Sequence, residues 1–142
     1  MPSWDRDLFV NPMRKMGTRV PAYTLYAYAC TNLLPCMDEM HKDPKHFRPP
    51  PKLPESLWKD CSHAINAVVV CKDAVLIAEG LVKDGKSDRL AEWRLTALDR
   101  GAGVELWHVV LPAEPVFDGL TVDRAGRIVA ALADGRIACY GE

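Results

Sequence analysis

The sequence predicts an all-β chain of antiparallel, four-stranded units behind an irregular, proline-rich N-terminal part. Three observations carry that expectation. Short apolar runs separated by turn residues fill residues 61–142. The pattern of runs repeats itself within that stretch. Nine of the eleven prolines fall in residues 1–54, so the two parts of the chain obey different rules, with the boundary near residue 60. The expected division is therefore 1–60, irregular with short strands, and 61–142, the repeated units.

In chain order, Arg19 to Tyr28 (RVPAYTLYAY) is rich in β-branched and aromatic residues and reads as one or two short strands, with Pro21 confining it to an edge or a strand start. Asn32 to His41 reads as a short helical turn capped by Asn32. His46 to Glu55 (HFRPPPKLPE) has four prolines in ten positions and reads as an extended connector. Ala64 to Cys71 and Ala74 to Glu79 are strands joined by a Lys72-Asp73 turn, and Glu92 to Leu98 alternates with period two. Asp99 to Gly103 supplies the next turn and Val104 to Leu111 the next strand. After a loop, PAEPVFDG, come strands at Leu120 to Val122, Arg127 to Leu132 and Arg136 to Tyr140, with turns at Asp123 to Gly126 and Ala133 to Gly135.

Laid on one another, Val68-Val69-Val70 matches Leu120-Thr121-Val122, Val75-Leu76-Ile77 matches Ile128-Val129-Ala130, and Arg94-Leu95-Thr96-Ala97 matches Arg136-Ile137-Ala138-Cys139. The offset is 52 positions at the start and 42 at the end, a difference made by the longer Gly80 to Leu90 loop of the first copy. A four-stranded unit recurring at roughly 40 to 50 residues has the period of a β-propeller blade. A seven-stranded sandwich gives similar strands and turns and stays as the alternative. The second copy stops after three strands, which favours the propeller, whose rings are closed by a strand from elsewhere in the chain. About two blades are legible, fewer than a ring needs. The chain is therefore expected to be the C-terminal piece of a longer protein or something smaller. The best donor to the open edge at Arg136 to Tyr140 is Val20 to Tyr28, but two blades cannot close a ring by any pairing, so self-association through open blade edges is expected.

The segment from Ala97 to Trp107 (ALDRGAGVELW) resembles the repeat signature of the pyrroloquinoline quinone-like (PQQ-like, quinoprotein-like) β-propeller family, in which an Ala-x-Asp, a tight turn with Gly and a Trp recur in each blade. The run from Pro115 to Gly141 resembles the last blade of large multi-domain members from planctomycete-type bacteria, and Trp58 to Gly80 is similar to the blade before it. The resemblance covers about 85 residues, Trp58 to Glu142; the full signature occurs once, and Ala102 stands where the family has Thr. It implies that Trp107 docks against a neighbouring blade. The structural repeat-motif residues are Ala97, Asp99, Gly103, Trp107, Asp118, Gly119, Asp134 and Gly135. Catalytic members of the family hold the quinone over the central channel with a calcium ion and an Asp base, in a site gathered from several blades.

Each candidate for chemistry has a plainer role that outweighs it. Asp99, Asp118, Asp123 and Asp134 sit in turn sequences, where a short carboxylate accepts nearby backbone N–H groups. Trp93 and Trp107 read as packing aromatics. Cys30, Cys36, His41 and His46 form C-x5-C-x4-H-x4-H, whose spacing does not fit the common zinc finger, and no metal site is assigned. His63 and His108 stand alone, and no G-x-S-x-G, Walker, H-E-x-x-H or G-x-G-x-x-G motif occurs. The five cysteines, an odd and scattered set, read as free thiols, with Cys71 and Cys139 as small buried hydrophobes.

A net charge of −1 argues against a broad nucleic-acid or membrane surface. The longest nearly unbroken apolar run, Ala64 to Cys71 with Asn66 inside it, falls far short of the ~20 residues of a spanning helix. The first twenty residues have no signal-peptide h-region, so the chain reads as cytoplasmic as written, or periplasmic or secreted if its true start is missing. The expected function is a non-catalytic β-propeller interaction or scaffold module of a larger PQQ-like repeat protein. Its partners would be other propeller blades or proteins, without cofactor, nucleic acid or membrane. The alternative is a fragment of a PQQ-dependent quinoprotein oxidoreductase whose cofactor site lies in further blades. A small metal-binding protein, resting on the Cys/His cluster, is a third reading.

Overall fold

The computed structural model describes residues 2–17, 22–42, 53–60, 64–82 and 90–141. Among them eleven strands and one helix form three antiparallel sheets. The first sheet holds β1 (Ser3–Trp4), β2 (Leu8–Arg14), β3 (Tyr23–Ala29) and β4 (Trp58–Asp60), with the helix α1 (Cys30–Lys42) between β3 and β4. The second holds β5 (Ala64–Val70), β6 (Ala74–Val82), β7 (Leu90–Asp99) and β8 (Glu105–Val110). The third holds β9 (Pro115–Val122), β10 (Ile128–Leu132) and β11 (Ile137–Tyr140). Within each sheet the strands lie side by side in chain order.

The sheets stack face to face with the second in the middle. Leu8, Val10, Leu25, Ala27 and Trp58 pack against Ile65, Val68, Val75, Ile77 and Leu98. On its other side the second sheet sets Ala67, Leu76, Ala78, Leu95 and Ala97 against Leu120 and Ala130 of the third. Successive residues of β6 point into opposite cores. That is why residues 74–78 read as an unbroken apolar run and not as an alternating one.

The internal repeat holds pair by pair. Val68 opposes Ile77 as Leu120 opposes Ala130; Leu76 opposes Ala97 as Val129 opposes Cys139; Ile77 opposes Thr96 as Ala130 opposes Ala138. Each matched residue also faces the same way, so the two sheets are one design built twice. All four turns expected after residue 70 are present. The PAEPVFDG stretch is a correction: β9 starts at Pro115, because Pro115 pairs with Leu132 and its carbonyl accepts the Asn66 side chain at 2.8 Å. Asp118, with φ 56°, forms the bulge that lets the strand continue.

The N-terminal part is also a correction, since it holds a regular sheet where an irregular segment is expected. Ser3–Trp4 and Leu8–Arg14 are strands, and β3 lies inside the sheet between β2 and β4, not at an edge and not beside β11. Pro12 is tolerated in β2 for a local reason. Lys15 N donates to Ala22 O and Cys30 N to Asp7 O, so the odd-numbered residues of β2 bond to β3 while Pro12 turns its nitrogen to the other side, where β1 pairs only Phe9 and Val10. The helix starts at Cys30, two residues before the expected Asn32 cap, because β3 runs into it: Cys30 N makes the last rung of the β2–β3 ladder and Leu33 is buried. Pro35 lies inside it and lacks the N–H that would bond Thr31. Residues 46–52 of the expected connector lie outside the described residues.

Candidate functional site

The junction between the first two sheets is pinned by a polar knot. Asp5 Oδ1 accepts the N–H groups of Asp7 and Leu8, each at 2.9 Å, which folds the β1–β2 turn. The Arg100 guanidinium reaches across from the β7–β8 turn, donating Nη1 to Asp5 Oδ2 at 2.6 Å and Nη2 to Asp5 Oδ1 at 3.2 Å. Arg100 also donates to the Cys71 carbonyl oxygen, so one side chain joins three turns. The Arg100 hydrogen bond holds the Asp5 carboxyl well below the usual carboxylate range, against partial burial, with the Leu8 and Asp7 N–H groups adding to it. Burial, then the Asp5 charge, pushes the Cys30 thiol up, and burial does the same for Cys71.

Two further ties run between first strands. Val70 N donates to Ser3 Oγ at 3.0 Å and Asn66 Nδ2 to Pro115 O at 2.8 Å. At the fourth strand an indole fills the gap instead. Trp58 of β4 donates Nε1 to the Arg100 carbonyl oxygen at 2.7 Å and lies over Gly103. Trp107 of β8 holds the corresponding place one sheet on, since Ala27 pairs with Trp58 as Ala97 pairs with Trp107. It lines a shallow cleft with Val122, Gly126 and Ile128 of the third sheet.

The repeat-motif residues fall into these junctions and turns. Ala97 is buried in the second core. Asp99 Oδ1 accepts Gly101 N at 2.9 Å and Ala102 N at 2.7 Å, while Gly103 closes that turn at φ 68°. Asp134 Oδ1 accepts Arg136 N at 3.1 Å, its Oδ2 takes Arg136 Nε at 2.7 Å, and Gly135 completes the hairpin. Asp123 repeats the device with Ala125 and Arg127. Asp118 and Gly119 form the β9 bulge, where a Cβ on Gly119 would lie 2.8 Å from Val116 O.

The two ends of the stack differ: the outer face of the third sheet is open, whereas on that of the first Thr24 and Tyr28 are buried and α1 lies alongside. On the outer face of the third sheet lie Thr121, Val129, Ala131, Ile137 and Cys139, around a hollow of about 250 Å³ that Thr121, Val129, Ala131 and Ile137 line. Cys139 is exposed there, not buried as expected. The outer face of the first sheet carries a row of rings: Trp4 opposes Phe9, Phe9 opposes Tyr28, and Tyr28 stacks on Tyr26. Trp4, Phe9, Leu33, Leu34 and Met37 line a groove of about 540 Å³ between this face and α1.

Cys30 and Cys36 lie on α1, whereas His46, His63 and Cys61 are outside the described residues and the side chain of His41 is too. Among the described residues no three His, Cys, Asp or Glu side chains converge on a cation site. His108 does not stand alone: its Nδ1 lies 2.6 Å from Glu105 Oε1 on the exposed face of β8. The buried Glu79 accepts the Thr96 hydroxyl at 2.7 Å inside the first junction. Among the described residues no helix is long and apolar enough to cross a membrane. No protein-family model matches the chain, and no curated protein or solved structure is significantly similar to it.

Sequence reasoning missed Arg100, Asp5 and the docking of Trp58. A signal for the last was present. Leu25-Tyr26-Ala27 followed by Trp58 repeats Leu95-Thr96-Ala97 followed by Trp107, with α1 and the proline-rich stretch inserted where the second copy has only a short turn.

Proposed function

We propose that the chain is a non-catalytic interaction module of propeller-type blades, working through the open end face of its stack. One observation carries the reading. Leu25 and Leu95, which hold the same place in the first and second sheets, are both 0% exposed because the next sheet covers them; Ile137, which holds that place in the third, is 72% exposed. The sheet therefore presents a surface of the kind the chain elsewhere buries, and an apolar surface of that kind marks a place for a partner. The propeller-type arrangement is supported by the direct ties between first strands and by the bulky indoles at fourth strands, where sheets splayed about an axis would leave the wider gap. The PQQ-like resemblance fits the same reading through Trp107 beside the third sheet.

Light scattering across a concentration series tests it. Association that rises with concentration and weakens in Ile137→Arg is expected. A strictly monomeric, cooperatively unfolding species at high micromolar concentration would overturn the reading.

A further inference from the structure

The row of rings on the outer face of the first sheet passes from core to surface along its length: Tyr28 is 6% exposed and Trp4 66%. The apolar stripe of α1 does the same, Leu33 being 5% exposed and Leu34 56%. Between the two lies the groove of about 540 Å³, with Trp4 and Phe9 on the sheet side and Cys30, Leu33, Leu34 and Met37 on the helix side. Those four helix positions share one face of a helix with 3.6 residues per turn. The chain therefore builds two apolar walls and leaves the space between their outer parts unfilled.

We infer that this groove is a binding site for an uncharged small molecule with a flat aromatic body. Its volume falls within the roughly 300 to 1,000 Å³ that ligand cavities occupy. The charges at one end select an uncharged ligand. Asp5 and Arg6 carry opposite signs, both Asp5 oxygens are already bonded to Arg100, and Arg6 is exposed to water. An ion entering the groove would give up hydration with no net charge to replace it. The Cys30 thiol is also engaged, donating to the Asp5 carbonyl oxygen at 3.6 Å. The rings select an aromatic one. Trp4 and Phe9 lie 6.4 Å apart with planes 30° from parallel, so a third flat ring can extend their stack on the exposed indole. On the opposite wall the Met37 thioether suits an aromatic edge. This site is separate from the third-sheet face that carries the interaction reading.

Titrating the whole chain with N-phenyl-1-naphthylamine, an uncharged aromatic probe that brightens out of water, tests the site. Its sulfonated analogue, 1-anilinonaphthalene-8-sulfonate, adds a negative charge to the same rings. Saturation at one probe per chain with a Kd on the order of 10 μM is expected. The sulfonated probe should bind about tenfold more weakly or worse. Leu34 and Trp4 are exposed, so changing them spares the core. Leu34→Glu should weaken the uncharged probe by about tenfold or more, by placing a charge in the groove. Trp4→Leu, which keeps the wall apolar but removes the ring, should weaken it about threefold to tenfold. Ile137→Arg should leave it unchanged. If Ile137→Arg abolishes binding and the two groove variants do not, the probe sits on the third sheet; this inference falls and the interaction reading stands. Equal binding of the sulfonated probe overturns the uncharged class, and an unchanged Trp4→Leu overturns the aromatic one. The absence of saturable binding overturns the site and leaves the light-scattering test of the interaction reading untouched.

Discussion

Trp58 and Arg100, 42 positions apart, are joined by a hydrogen bond from the indole N–H to the carbonyl oxygen at 2.7 Å, and the ring so held leaves no room above Gly103. A Cβ there would lie 2.5 Å from the indole, and the backbone is left-handed at φ 68°. Gly103→Ala should therefore cost about 2 to 4 kcal/mol, the sum of backbone strain and a clash in a packed site. Gly126→Ala shares the left-handed backbone, at φ 85°, with open space around it, and should cost only about 1 kcal/mol. Urea unfolding of the two variants separates strain from clash; equal losses would show that the indole does not press on Gly103.

Trp58→Phe keeps an aromatic ring and removes the donor, so a loss of about 1 kcal/mol is expected, against about 3 to 5 kcal/mol for Trp58→Ala. If Trp58→Phe is as damaging as Trp58→Ala, the bond to Arg100 and not the packing holds the junction.

The Asp5–Arg100 pair gives the acid limb of stability a particular sign. The Asp5 carboxyl titrates below its ordinary range in the folded chain because Arg100 bonds its charged form. Its contribution is therefore complete above the unfolded carboxylate range and is lost as pH falls below about 4. Asp5→Asn removes the charge and should flatten that limb, at a cost at pH 7 of about 1 kcal/mol, kept small because solvent reaches the pair. Unfolding free energies from pH 7 down to about 3 check this. An unchanged slope in Asp5→Asn would place the acid sensitivity elsewhere.

The thiols should differ in reactivity. Cys139 is exposed, whereas burial raises the Cys30 and Cys71 thiols and keeps them protonated at neutral pH. Alkylation followed by mass spectrometry should modify Cys139 before Cys30 and Cys71 in dilute solution. The Cys139 rate should fall as protein concentration rises, since its face is the one proposed to be covered.

Titrating PQQ together with calcium and following tryptophan fluorescence distinguishes the interaction module from a quinoprotein fragment. No saturable quenching is expected. Micromolar quenching that disappears in Trp107→Ala would favour the oxidoreductase reading.

What the sequence determined by itself was everything that local chemistry controls. Apolar runs bounded by turn residues, with period two only at Glu92 to Leu98, set the strands after residue 64. Asp99, Asp123 and Asp134 marked turns because their carboxylates satisfy N–H groups within four residues, and the repeat specified which residues of the second and third sheets oppose one another. Tertiary structure alone decided what joins distant segments. Strand β4 pairs with β3 across the inserted helix, Asp5 meets Arg100 across 95 positions, and Pro12 fits a strand because its nitrogen faces away from β3. The same holds for burial: Ile137 and Leu95 occupy one place in the repeat, yet whether that place is core or surface depends on a neighbouring sheet, a relation no window along the chain contains.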